Sequence, residues 1–226
     1  MKTPIILLAL AAFASFAAAD TLTPYDDATV VTGPDGNPAW QLTSPTDGGL
    51  ELQITNPLTP TTLTDLSADY VMLNGTFGNG APRFTLFDNS LNSAWIYWGT
   101  PAGGGSFTDP NSGNTNYMNT GNYADLASPD VRVYSNGFGG DSNPNTGVTW
   151  AQFVALTGGT NISYITLDLD GGTPTNNQVM DTTNFDVNGT IYVPTAATPE
   201  PRDISLALCG IGLAGLILRR HRQAAR

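Results

Sequence analysis

Nine short runs, each closed off by clusters of Gly, Pro, Asn and Asp, are spaced along the chain between residues 28 and 193. They are Ala28–Thr32, Ala39–Thr43, Leu50–Thr55, Tyr70–Phe77, Arg83–Asp88, Ala94–Thr100, Val131–Tyr134, Ile162–Asp170 and Asn184–Val193. Most are too short for an ordinary helix, several alternate apolar with polar residues, and β-branched and aromatic residues dominate them. Gly and Pro at this frequency punctuate strands and turns. Many short strands spaced this way predict an all-β fold, a β-sandwich or jelly roll, and not a parallel α/β sheet. One stretch departs from the pattern. In "VTWAQFVALTGG" Thr149 is placed to cap a helix, apolar residues recur at helical spacing from Trp150 to Leu156, and Gly158 stops it. This predicts one short helix packed over a sandwich end. The segment 99–130 has little periodicity and reads as a long surface loop.

Charge narrows the function classes. Only Arg83 and Arg132 are basic between residues 20 and 195; of the 19 acidic residues only Glu200 and Asp203 lie beyond that span. Seventeen carboxylates therefore face two guanidinium groups, a net charge of −15. With no basic footprint for phosphates, a nucleic-acid partner is excluded. The single histidine, His221, is at the extreme C-terminus, so the domain holds no His triad, His metal site or His general base. Its one glutamate is Glu51, which leaves little for a paired-carboxylate mechanism. The domain reads as non-catalytic. Cys209, also near the C-terminus, is the only cysteine, so no disulfide framework supports the fold.

The two ends carry addresses. Residues 1–19 have Lys2, an apolar stretch from Ile5 to Phe16 and Ala17-Ala18-Ala19 before Asp20, the layout of a secretory signal peptide. Residues 196–226 carry Pro199-Glu200-Pro201, continue in an uncharged run over 204–218, and end in a basic tail, 219–226, with Arg219, Arg220 and Arg222. As a helix the run would span about 22 Å, a short membrane crossing that flanking arginines assist by reaching to the headgroups. The basic cluster follows the run, so the positive-inside rule places the C-terminus in the cytoplasm and the domain, 20–195, outside. An amphipathic core helix fits poorly, because the run has no polar stripe.

The ordered sequence of Pro199-Glu200-Pro201, apolar Gly/Ala/Leu run and arginine cluster resembles the PEP-CTERM sorting signal of Gram-negative bacteria. The resemblance implies an exosortase-type processing enzyme as partner. It also implies a transient inner-membrane stay with the C-terminus cytoplasmic, then passage to the cell envelope or extracellular matrix, in organisms that make extracellular polysaccharide. The stretch from Thr149 to Val193, with a Trp-led helix, an Ile-rich strand ending in Asp-Gly-Gly and a strand containing Val-Asn-Gly, is similar to many PEP-CTERM proteins. It is also similar to jelly-roll, carbohydrate-binding-like modules, a resemblance that implies a β-sandwich and suggests affinity for glycans.

Two candidate sites follow from residue types. Asp141, Asn143 and Asn145 place oxygen ligands at alternate positions, Asp109 and Asn111 are similar, and Asp168 and Asp170 add carboxylates on one strand face. Calcium takes six to eight oxygens, so a structural calcium is one reading. Thr146 stands where an EF-hand needs Gly and Gln152 where it needs Glu, and plain turns are the other reading. In "AWIYWGT", Trp95 and Tyr97 share one strand face while Ile96 and Trp98 share the other. Trp95 and Tyr97 read either as a sugar-stacking platform or as core residues of a strand covered on both sides. The function expected is a structural or adhesive component of the envelope or biofilm matrix, with a carbohydrate-binding module as the alternative.

Overall fold

The computed structural model describes residues 19–44, 48–75, 82–103, 106–108, 126–140, 147–169 and 177–195. The signal-peptide segment up to residue 18, the sorting motif and its arginines, and Asp109, Asn111, Asp141, Asn143, Asn145 and Asp170 lie outside the described residues. In chain order the strands are β1 (Thr21–Tyr25), β2 (Thr29–Thr32), β3 (Pro38–Thr43), β4 (Gly49–Gln53), β5 (Leu66–Ser67), β6 (Tyr70–Asn74), β7 (Arg83–Asp88), β8 (Ser93–Tyr97), β9 (Thr100–Gly103), β10 (Ser106–Thr108) and β11 (Arg132–Asn136). Helix α1 (Trp150–Thr157) follows, then β12 (Ile162–Asp168), β13 (Val179–Thr182), β14 (Phe185–Val187) and β15 (Thr190–Tyr192).

The fold is all-β with one short helix. A six-stranded sheet runs β1-β4-β12-β7-β8-β11, a four-stranded sheet β2-β3-β13-β6 and a three-stranded sheet β15-β14-β5; β9 and β10 form a separate hairpin. Every pairing between these strands is antiparallel. Alternation explains which face each sheet buries. In β4, Leu50 and Leu52 are buried while Glu51 and Gln53 point away; in β8, Ala94 and Ile96 are buried and Trp95 and Tyr97 are half-buried on the other side. The buried sets of the sheets meet in one core. Phe84 of β7 packs edge-on against Phe185 of β14 at 5.6 Å, and Trp98 beyond β8 against Tyr70 of β6 at 6.2 Å. The sheets thus face one another across a shared apolar layer, as in a β-sandwich.

Helix α1 forms where its sequence spacing places it, one residue longer at its end. Thr149 caps it and Gln152 completes a capping box, with the side chain of each bound to the main chain of the other. Phe153 packs on Phe138 at 5.5 Å and Trp150 on Phe153 at 5.4 Å. Val148, just before the helix, exchanges hydrogen bonds of 2.9 and 3.0 Å with Val133 of β11. The helix and its lead-in thereby cover one edge of the six-stranded sheet.

Two expectations are corrected. Residues 184–193 form two strands, not one, because Asn188 (φ 53) and Gly189 (φ 80) make a left-handed two-residue turn between β14 and β15. The Asn188 side chain also accepts from the main-chain N–H groups of Thr64 and Asp65 and donates to the Thr62 carbonyl, pinning the turn to the β5 approach. The segment 99–130, read as loop, contains the β9–β10 hairpin. Strands β1, β5 and β13 were not legible as runs, and β13 supplies the partner that joins β3 to β6.

Candidate functional site

The outward face of the six-stranded sheet carries the three candidate residues that fall within the described part of the chain, Asp168, Trp95 and Tyr97. Register alone builds it. One cross-strand row is Tyr25, Gly49, Asp168 and Arg83, and the next is Thr23, Glu51, Thr166, Thr85, Trp95 and Tyr134. Tyr97 lies opposite Arg132 on β11, and Phe87 opposite Tyr164. Side chains alternate with a period of two, so all of these stand on the face turned away from the core.

Asp168 is the hub of this face. Its Oδ1 accepts from the Tyr25 hydroxyl, and its Oδ2 accepts from Thr85 Oγ1 at 2.6 Å and Thr166 Oγ1 at 2.8 Å. The Arg83 Nε stands 3.7 Å from Oδ2. Gly49 makes the arrangement possible, because a Cβ there would overlap the Tyr25 phenol as it crosses β4 to reach Asp168. Burial first, then the Asp168 charge and hydrogen bond, push the Tyr25 phenol well above its ordinary range. Tyr164 is raised too, by burial and then by the carboxylates of Glu51 and Asp168. Both rings stay protonated, and the Tyr25 hydroxyl donates to Asp168. The Asp168 carboxylate is a saturated structural acceptor here. Among the described residues no three of the groups His, Cys, Asp and Glu come together to hold a metal ion.

Beside this hub lies an aromatic patch. The Arg83 guanidinium sits 5.9 Å from the centre of the Trp95 ring, a cation–π distance. Tyr97 packs edge-on against Tyr134 at 5.5 Å. The main chain at Gly147 closes against the hydroxyl end of Tyr134, where a Cβ would lie 2.7 Å from Cζ. Farther along, Phe87 and Tyr164 stack at 4.2 Å with planes 12° apart. Trp40, Trp98 and Trp150 are buried, so Trp95 is the one tryptophan on an outer face. Ile96 and Trp98 fill the core beneath it. Sequence spacing placed Trp95 and Tyr97 on a common face. Tyr134, Arg83 and Arg132 join them only through the pairing of β8 with β7 and β11.

At the opposite end of the sheet order, a cleft of about 450 Å³ opens between β1 and the four-stranded sheet, lined by Leu22, Pro24, Val30, Trp40, Tyr192 and Val193. Asp20 and Thr195, close to the two ends of the described domain, also border it. Asp20 accepts from the main-chain N–H of Thr55 at 2.7 Å, which fixes the entry into β1.

Asp88 is a second carboxylate with a purely structural set of partners. Burial acts to raise it, but the Asn92 side chain and the N–H groups of Gly139, Ser90 and Asn92 outweigh that and hold it below the ordinary carboxylate range. It ties the β7–β8 turn to the short 3₁₀ turn at 138–140 through a 3.2 Å bond from the Gly139 N–H. A depressed folded-state value gives stability that is present above the unfolded value, about pH 4, and lost as pH falls through the folded one. Tyr25 has the opposite sign: its raised value gives stability that is present below about pH 10 and lost as pH rises further. Melting temperatures should therefore fall at both ends. Asp88→Asn should flatten the acid limb and Tyr25→Phe the alkaline limb, each measured by thermal melts across pH.

No protein-family model, curated protein or solved structure matches this chain.

Proposed function

We propose that this chain is an exported, non-catalytic β-sandwich module of the cell envelope or extracellular matrix, structural or adhesive in role. In this reading a signal peptide directs export. The apolar run 204–218 then forms a single membrane helix, and an exosortase-type enzyme acts at Pro199-Glu200-Pro201 to release the domain to the envelope. The sheet arrangement is read as a jelly-roll variant. One observation carries the non-catalytic reading: the buried carboxylates of the described domain have structural partners. Asp168 accepts from three hydroxyls, Asp88 from the turn it closes, and Asp181 from the Gln41 amide at 3.0 Å. A catalytic acid or base needs an accessible proton path to a substrate.

The test of the sorting step is processing. Pro199→Ala combined with Pro201→Ala should leave the protein at its unprocessed length in the membrane fraction, while the parent chain is converted to a shorter, released form. Pulse labelling followed by fractionation reads both. Equal conversion of parent and variant would contradict the motif's role.

A second reading, a carbohydrate-binding module acting on extracellular polysaccharide, is supported by the outward cluster of Trp95, Tyr97 and Tyr134. Half-buried rings held on a rigid sheet form the type of surface on which sugar faces stack.

A further inference from the structure

From the charge layout we infer that the Trp95–Tyr97–Tyr134 face takes an uncharged glycan and rejects acidic polysaccharides; this rests on the carbohydrate-binding reading above. The domain carries seventeen carboxylates and two arginines, so an anionic chain approaches against a net repulsion. Both arginines lie on this one face, one on each side of Tyr97: Arg132 is its register partner on β11, and Arg83 on β7 directly precedes Phe84, the register partner of Ile96 on β8. Neither presents an uncommitted charge. Arg83 is engaged with Asp168 and the Trp95 ring, and Arg132 donates to the carbonyls of Pro129 and Val131. Asp168 offsets Arg83 directly, and Glu51 stands on the same face, so this window of an acidic domain holds as many carboxylates as guanidinium groups.

That window combines ring faces with hydrogen-bonding groups. A pyranose offers the complement: C–H bonds on one face for the aromatic quadrupole, and uncharged hydroxyls around the rim that ask for no counter-charge. From β7 to β11 the patch spans two strand spacings, about 10 Å, and from Trp95 to Tyr97 about 7 Å. This is the scale of a pair of sugar rings and far below the roughly 800 Å² that a stable protein partner covers. The face also lies toward the far edge of the six-stranded sheet from the cleft bordered by Asp20 and Thr195, four to five strand spacings or about 19–24 Å away. A chain tethered through its C-terminal segment would thus hold the face away from the tether.

The experiment uses the detergent-solubilised full chain and the producing cells' own extracellular polysaccharide, separated by anion exchange into neutral and acidic fractions. Because the other three tryptophans are buried, acrylamide quenching of fluorescence reports mainly on Trp95. The neutral fraction should protect the signal, and Trp95→Phe should abolish that protection. Tyr97→Ala should weaken retention on immobilised neutral polysaccharide about tenfold, the scale for losing one well-packed aromatic contact, while Tyr97→Phe should retain it. If Tyr97→Ala fails to fold by thermal melt, protection of Trp95 in the parent chain decides alone. Protection by the acidic fraction only would overturn the uncharged-glycan inference and leave the carbohydrate-binding reading standing. Protection by neither fraction would overturn both. Retention on neutral polysaccharide without protection of Trp95 would overturn the placement of the site.

Discussion

Asp168→Ala is expected to destabilise the domain by about 3–5 kcal/mol, the range for removing one partner of a buried charged network. The substitution strips the acceptor from the Tyr25, Thr85 and Thr166 hydroxyls together and removes the carboxylate beside Arg83. Each buried donor left unsatisfied costs about 1–3 kcal/mol, so the effect comes more from stranded partners than from the lost bonds themselves. For a domain of this length the melting temperature should fall by about 10 °C. Asp168→Asn keeps one acceptor oxygen and similar volume and should cost less. Tyr25→Phe removes a single donor and should cost about 1 kcal/mol. Combined with Asp168→Ala it should add little, because the phenol has already lost its partner. Urea melts that show a lower midpoint at unchanged slope would confirm a stability effect. An Asp168→Ala chain as stable as the parent would show that the hub contributes nothing to holding β1, β12 and β7 together.

The same residue shows where sequence reading succeeds and where it stops. Asp168 stood out beside Asp170 as a pair of carboxylates on one strand face, which is a local property of alternation. Its actual partners are 143 and 83 residues away in Tyr25 and Thr85, and no local pattern brings β1, β12 and β7 side by side. Gly49 sits inside β4 and lets the Tyr25 ring pass, a role that no local pattern announces. Helix α1 was legible because capping is a short-range code, complete within Thr149 to Gly158. The division of 184–193 into two strands was missed although Asn188-Gly189 is a strong hairpin signal; the apolar residues on either side masked it. On the candidate face, Trp95 and Tyr97 were legible from parity alone. Tyr134 and Arg132 were not, because their place depends on β11 pairing with β8 across some 35 intervening residues. Strand β13 had too little apolar alternation to be read as a run, and the four-stranded sheet would not connect without it.

Fractionation of cells making the full chain, beside cells making a chain ended at Asp203, tests the export-and-tether account most directly. The uncharged run 204–218 holds eight Leu and Ile residues, each favouring membrane insertion by about 0.3–0.6 kcal/mol, or roughly 2–5 kcal/mol together. On the proposed reading, Arg219, Arg220 and Arg222 keep its end on the cytoplasmic side. Among the described residues no helix is long and apolar enough to cross a membrane. The unprocessed full chain should therefore sediment with the inner membrane, with its domain open to protease added on the outer side. The shortened chain should appear in the soluble periplasmic fraction or the medium. A shortened chain that still sediments with membranes, to the same extent as the full one, would contradict the account.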